Sequence, residues 1–327
     1  MARADLLIDL VEAERSGDKQ KFQTLVEAII AEERANQHHL VADRLSELIT
    51  TVGSSDLLPR DDAATRVNDL LLDTVPRRRL DTLHLRDTVQ QASQELIEEH
   101  RRIELLRSHG LEPRNRLLLD GPPGNGKTTL AEAIATETML PFYIVRYEGI
   151  VSSFLGETAA RLDHVFEFVR TRRCVVFFDE FDTIAKERSD LHETGEVKRV
   201  VSTLLMQIDR LPPHVIVICS TNHSELLDRA AWRRFQVRLE LDAPSRSEAT
   251  SFLSSLQTRL GGDLGLAPRT LADKLPGASY AELEQIALDI RRRLVLSLPG
   301  GNAQDIARSR IEQWRTQAHP QARNDHY

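Results

Sequence analysis

Long hydrophobic runs are missing from these 327 residues. No apolar stretch approaches the ~18 residues that a membrane-spanning helix requires, so no such segment is expected. Cysteine is scarce. The two present, Cys174 and Cys219, sit inside apolar runs and read as reduced core residues. Neither has a histidine partner in the sequence that would make it a nucleophile. The amino terminus shows no basic-then-apolar leader ending in small residues, and the expected compartment is the cytoplasm. An excess of positive charge is also absent. The balance of 43 Lys and Arg against 50 Asp and Glu gives a formal charge of −7, which argues against a general electrostatic grip on nucleic acid. Short arginine runs at Arg77–Arg79 and Arg291–Arg293 read as solvated helix faces or interface residues. What the chain does have is 41% hydrophobic residues, enough to bury a core, and a length suited to two or three domains.

The chain is organised around Gly121-Pro122-Pro123-Gly124-Asn125-Gly126-Lys127-Thr128, a G-x-x-x-x-G-K-T sequence. Apolar Leu117–Leu119 lead into it, and Leu130-Ala131-Glu132-Ala133-Ile134-Ala135 follows with helical character. Strand, glycine loop and helix form the setting in which this spacing binds phosphate. The glycines let backbone N–H groups wrap close to the anion, and the helix amino terminus adds the positive end of its dipole. Lys127 would reach the β- and γ-phosphates, and the Thr128 hydroxyl would hold Mg²⁺. The loop residues expected at the nucleotide are Pro123, Gly124, Asn125, Gly126, Lys127, Thr128 and Thr129.

Three further segments fit the same chemistry. Val175-Val176-Phe177-Phe178 has no alternation, which suits a strand buried on both faces, and Asp179-Glu180 follows at its carboxyl end. Asp179 would support Mg²⁺ through its water, and Glu180 would polarise the water that attacks the γ-phosphate. Ile216-Val217-Ile218-Cys219-Ser220-Thr221-Asn222 is a second buried strand. An isolated asparagine more often marks a turn, but at this strand end Asn222 could position the attacking water and sense the γ-phosphate. Lastly, Leu227-Asp228-Arg229-Ala230-Ala231-Trp232-Arg233-Arg234-Phe235 carries a paired arginine just before the last strand. An arginine supplied in trans stabilises the charge of phosphoryl transfer. The commoner role of paired arginines, a surface ion pair, stands beside that reading.

The rest of the chain divides around these motifs. Residues 1–82 read as a bundle of short helices, from Phe22, Leu25, Val26, Ile29 and Ile30 and from Leu40, Val41, Leu45, Leu48 and Ile49 at helical spacing. This front region is an interaction domain or a purely structural bundle. Its His38-His39 pair would point apart on a helix and reads as a solvated or cap-bonded pair rather than a metal pair. Residues 83–113 contain an amphipathic linker helix over 87–108, closed by Gly110 and Pro113. Residues 114–244 alternate candidate strands (Arg116–Leu119, Phe142–Arg146, Cys174–Phe178, Val215–Ser220 and Val237–Leu241) with helices of crossover length. Helical segments near 247–260, 270–275, 280–296 and 303–317 form a small domain over 245–318, and 319–327 is a frayed tail. The expected fold is α/β. It is a P-loop NTPase five-stranded parallel sheet with helices on both faces, an all-helical carboxyl-terminal small domain and an amino-terminal helical bundle.

Together these residues resemble the AAA family within the AAA+ ATPases, over roughly 115 to 315. The resemblance makes 121–128 the Walker A segment, 175–180 Walker B, Asn222 the first sensor, and Arg233-Arg234-Phe235 the end of an arginine-finger segment closest to the katanin and spastin pattern. Gly277-Ala278-Ser279-Tyr280-Ala281-Glu282-Leu283 looks like the small-domain motif, which implies Gly277, Ala278 and Ala281 near adenine and ribose. Ser153-Phe154-Leu155-Gly156-Glu157 looks like the first pore loop, with Phe154, Leu155 and Gly156 as its aromatic–aliphatic–glycine step. The resemblance implies ATP and Mg²⁺ as ligands and a homo-oligomeric ring, usually a hexamer. Arg233 and Arg234 would then enter the neighbour's site, and Phe154 would grip an extended polypeptide. The departures are a front domain that matches no known recruitment domain, Asn125 where threonine is frequent, and the lack of an H-E-x-x-H zinc motif.

The function expected is ATP-driven remodelling or unfolding of a protein substrate. The alternative is a nucleotide-switched scaffold that activates a separately encoded protease or effector through residues 1–82. A nucleic-acid-handling ATPase ranks below both, and no membrane partner is expected. Phe154 itself has two readings, pore residue or a phenylalanine packed back onto the sheet.

Overall fold

The computed structural model of the chain describes residues 24–25, 70–146, 155–181, 196–223, 232–297 and 302–318. Contacts divide the chain into two units, Met1–Thr65 and Arg66–Tyr327, and the sheet belongs to the second. Apart from Thr24 and Leu25, the expected front bundle with its His38-His39 pair lies outside the described residues up to Leu70. Phe154, residues 227–231 of the arginine segment and the tail from 319 lie outside them too.

The strands are β1 (Leu71–Thr74), β2 (Arg116–Asp120), β3 (Phe142–Val145), β4 (Cys174–Phe178), β5 (Val215–Thr221) and β6 (Val237–Glu240). They form one sheet in the order β1-β3-β4-β5-β2-β6. The five strands expected from the sequence are all present and pair in parallel. The sixth corrects the expectation of a five-stranded sheet. β1 pairs antiparallel with β3 at one edge, so Leu71–Thr74 belongs to the sheet and not to a front helical bundle.

Register explains why the central strands are apolar throughout. Phe178, Cys219 and Leu118 lie in one row across β4, β5 and β2, while Phe177, Ile218 and Leu117 form the next. The first row joins one buried cluster and the second joins another, because successive side chains point to opposite faces. Every residue of β4 and β5 is therefore buried. One face is covered by α1 (Asp87–Arg101) and α3 (Lys127–Thr138), through Val89, Leu96, Ile97, Leu130 and Ile134. The other is covered by α4 (Leu155–Arg170) and α5 (Glu196–Asp209), through Leu162, Phe166, Leu204 and Ile208. The helix expected over 87–108 breaks at Arg102 into α1 and the short α2 (Ile103–Ser108). Leu96 and Ile97 lie in the core beneath the sheet, so α1 is a layer of this domain and not a linker. Burial raises the Cys174 thiol to about 12 and lifts the Cys219 thiol well above its ordinary value, which keeps both inert.

Among the described residues four helices follow the sheet: α6 (Arg246–Arg259), α7 (Pro268–Lys274), α8 (Tyr280–Leu296) and α9 (Ala303–Ala318). They bury Leu253, Leu256, Leu271, Leu283, Ile286, Ile290 and Ile311 in a core of their own. Ser245 caps α6 and Ser279 caps α8, each in a reciprocal pair with the glutamate three residues on. These caps fix where the two helices begin, and α8 begins at the phosphate loop. Arg86 ties the segment before α1 to this domain, pairing with Asp242 at 2.6 Å and with Glu248 at 3.5 Å.

Candidate functional site

In a parallel sheet the loops at the carboxyl ends of adjacent strands share one edge, and here β4, β5 and β2 are adjacent. The glycine loop leaves β2, Asp179 and Glu180 follow β4, and Asn222 follows β5. They meet in a cleft of about 370 Å³. Pro123, Gly124, Asn125, Gly126, Lys127, Thr128 and Thr129 line it, together with Asp179, Glu180, Asn222 and Ala281.

Lys127 is the first residue of α3 and is buried despite its charge. Its ammonium donates to the carbonyls of Gly121 at 2.6 Å and Pro122 at 3.1 Å and to Asn222 Oδ1 at 2.7 Å. The Thr128 hydroxyl donates to Asp179 Oδ2 at 3.2 Å. The other Asp179 oxygen accepts from the Ser220 hydroxyl and, at 3.0 Å, from the Glu180 amide. Ser220 Oγ also accepts from the Glu180 amide at 3.1 Å. Glu180 is exposed and takes φ 47°, a left-handed conformation that a residue with a Cβ adopts at a cost. The Asp179 and Ser220 contacts to its amide hold it there.

The small domain closes on the loop directly. The Ala281 amide donates to the Gly124 carbonyl at 3.0 Å, and the Tyr280 amide donates to Asn125 Oδ1 at 3.4 Å. The Asn125 side-chain amide turns back to the Pro122 carbonyl at 3.3 Å. Asn125 therefore bridges the loop and the first turn of α8. Opposite the phosphate end, the cleft wall is His84, Phe252 and Tyr280, with Arg259 and Glu284 at its rim. Phe252 stands edge-on to His84 at 5.3 Å and to Tyr280 at 5.0 Å. His84 Nε2 is 2.9 Å from Ser255 Oγ, and burial, aided by the Arg259 cation, lowers the imidazole below its ordinary value. This end offers an aromatic, polar-rimmed surface and the other a ring of N–H donors and a cation. The cleft has the chemistry of a nucleotide site.

Some expected residues are elsewhere. Ala278 is buried in the small-domain core, and Gly277 takes φ 76° in the turn before α8; of the three residues expected at adenine and ribose only Ala281 lines the cleft, joined there by Tyr280 of the same motif. Leu155 and Gly156 are the first two residues of α4, not loop residues. Arg233 and Arg234 stand on the segment before β6, apart from this chain's own cleft. Conversely, Ser220, His84, Phe252, Arg259 and Glu284 are not among the residues expected from the sequence, and Tyr280 is there only as a member of the 277–283 motif. Ser220 carried a signal, a hydroxyl closing an otherwise apolar strand. Phe252 and His84 carried none, because they meet only through the fold.

The donor set suits Mg²⁺, a hard cation taken by oxygen ligands, through the Thr128 hydroxyl and the Asp179 carboxylate. Among the described residues no group of three or more His, Cys, Asp or Glu could hold a metal by itself, so the remaining ligands there would be phosphate and water. No described helix is long and apolar enough to cross a membrane.

Residues 117–243 match the model of the AAA family, the ATPase family associated with various cellular activities. The chain is 33% identical over 305 residues to a Sinorhizobium fredii protein named as an uncharacterized AAA family ATPase, y4kL; the match covers 90% of each chain. It is 40% identical over 161 residues to the peroxisomal ATPase pex6 of Schizosaccharomyces pombe, covering 46% of this chain and 17% of that protein. It is 35% identical over 188 residues to the ATP-dependent zinc metalloprotease FtsH 3 of Sphaerobacter thermophilus, covering 55% and 38%. The last two similarities span well under half of those proteins.

Proposed function

The chain belongs to the AAA family of ATPases, and from that premise we propose that it hydrolyses ATP in a ring of its own copies to remodel or unfold a protein substrate. The observation that carries the reading is the meeting of three strand ends at one point, with Lys127 bonded to Asn222 and Thr128 bonded to Asp179. Loop amides and Lys127 bind the phosphate chain, and Thr128 and Asp179 would hold Mg²⁺. When bound, that ion neutralises charge on the phosphate oxygens. Glu180, exposed at the cleft, accepts the proton of the attacking water as the bond from the γ-phosphorus to the ADP oxygen breaks. Asn222 orients that water and the γ-phosphate. A further positive charge comes from the arginine segment of the next subunit.

Coupling to the substrate follows from the contacts between loop and lid. Tyr280 and Ala281 of α8 bond Asn125 and Gly124, so a change at the phosphates is felt at once by the small domain. Phe154, with Leu155 and Gly156, is the proposed grip on an extended polypeptide, and the front unit is the proposed docking site for substrate or effector. The name of one relative, an ATP-dependent zinc metalloprotease, agrees with work on proteins.

The test measures ATP turnover alone, with an unfolded protein and with single-stranded DNA, alongside unfolding of a tagged substrate by the parent and by Phe154→Ala. Stimulation by the unfolded protein, and loss of unfolding in Phe154→Ala with basal turnover kept, are expected. Stimulation by DNA only would turn the reading to a nucleic-acid ATPase. Turnover insensitive to both would favour the nucleotide-switched scaffold.

A further inference from the structure

Of the four residues from Trp232 to Phe235, three are tied down by the rest of the domain. Trp232 packs partly buried against the core; β6 supplies Arg238, whose Nη2 donates to the Trp232 carbonyl at 2.8 Å and whose guanidinium lies 5.4 Å from its ring centroid. Phe235 is buried, edge-on to Phe181 at 6.1 Å. Arg234 donates to the Leu205 carbonyl at 3.3 Å and pairs with Asp209 Oδ2 at the end of α5. The other oxygen of Asp209 is held by Arg116 at 2.8 Å. Arg233 is exposed and makes no hydrogen bond or ion pair with any described residue.

A guanidinium that serves another subunit has to be exposed, uncommitted and projected from a fixed base. Arg233 meets all three conditions, since both of its neighbours are anchored. Arg234 meets none. It is half-buried, and leaving its place would strip Asp209 of one of two partners in a partly desolvated cluster. We propose that the two arginines are not tandem fingers. Arg233 alone is delivered to the neighbouring nucleotide, and Arg234 is a positioning residue that locks the segment onto α5 through Asp209. This rests on the reading that the segment acts in trans, and it divides two residues that look equivalent in the sequence.

The test uses the full chain with five single variants and the double variant Arg234→Ala with Asp209→Ala, reading kcat and KM for ATP, the thermal midpoint and the assembly state. Arg233→Ala and Arg233→Lys should both lower kcat by ~10³-fold or more with KM little changed, because an ammonium does not reproduce the planar fork. Arg234→Ala should lower kcat by roughly 10- to 100-fold, the scale of a small misplacement. Arg234→Lys should recover most of that loss, since it keeps a cation on Asp209. Asp209→Ala should match Arg234→Ala, and the double variant should be no worse than either single one. If Arg234→Lys is as inactive as Arg233→Lys while Asp209→Ala turns over normally, Arg234 works at the phosphates and the division is overturned. Mixing Arg233→Ala with Lys127→Ala isolates the underlying reading. Restored hydrolysis supports action in trans, whereas none at any ratio, with mixed assemblies formed, overturns it and this proposal with it.

Discussion

The Lys127 ammonium donates a 2.7 Å hydrogen bond to the side-chain oxygen of Asn222, 95 residues away in the chain. With the carbonyls of Gly121 and Pro122, that oxygen completes three acceptors around one buried cation. A buried charge needs such partners, and here they aim it along the phosphate loop. Lys127→Ala should abolish ATP binding, measured with a fluorescent nucleotide. Asn222→Ala removes one hydrogen bond to a charged group, typically about 1.5–3 kcal/mol, or roughly 10- to 100-fold in turnover. Nucleotide should still bind that variant, and unchanged turnover would remove Asn222 from the mechanism.

Glu180 separates strain from chemistry. Its φ of 47° belongs to glycine territory, yet the residue is a glutamate. Glu180→Gln should bind ATP and lose roughly 10²- to 10⁴-fold in turnover, the usual worth of a general base, so that an ATP-bound oligomer accumulates. Glu180→Gly should be equally inactive but up to about 1 kcal/mol more stable than Glu180→Gln, because glycine takes this φ without strain. Denaturation of the two variants side by side decides the point. A glycine variant less stable than the glutamine one would show that the backbone carries no strain here.

The parts of this fold that declare themselves in the sequence are those buried on both faces. β4 reads directly from Cys174–Phe178, because continuous apolar residues have no other sensible place. β1 does not. Of Leu71–Thr74 only Leu71 is buried, and as an edge strand it needs no apolar face, so nothing in its composition sets it apart from loop. The site divides in the same way. Lys127, Thr128, Asp179 and Asn222 come from contiguous motifs whose spacing implies chemistry. Phe252 and Arg259 reach the cleft only because the small domain folds over it, and His84 only because the segment before α1 runs beside it. The tandem arginines look alike in sequence and differ in the structure, since it is α5 that supplies Asp209.

His100 makes stability depend on pH. It is buried near the end of α1, with Nε2 2.7 Å from the Arg114 carbonyl. Burial holds its imidazole below the ordinary value of 6.5, and His84 is shifted the same way by burial and Arg259. The unfolded chain therefore takes up protons first as pH falls. The stability contributed by these neutral rings is fully present above about 6.5 and is lost progressively below it. Thermal midpoints should be flat between about pH 7 and 8 on this account and fall below about 6.5. His100→Gln removes one titrating ring while keeping an amide donor, and it should flatten that fall. An unaltered slope would exclude His100 as a source.

Gly124 and Gly126 allow backbone strain and close approach to be told apart. Both take positive φ, 79° and 87°. A Cβ at Gly126 would meet nothing within 4 Å, whereas one at Gly124 would lie 2.7 Å from Ser279 Oγ and 3.2 Å from the Ala281 Cβ. Gly126→Ala should thus lose only the left-handed penalty, about 1–2 kcal/mol, in denaturation without nucleotide. Gly124→Ala should lose that and more, because the added methyl pushes the capped start of α8 away from the loop. Ser279→Gly tests the cause. Glycine costs a cap only a few tenths of a kcal/mol, so Gly124→Ala with Ser279→Gly should return close to the Gly126→Ala level. Should the two alanine variants prove equally stable, the contact between loop and small domain is looser than its geometry implies. The coupling of phosphate binding to lid position would then have to run through Asn125 and Tyr280 alone.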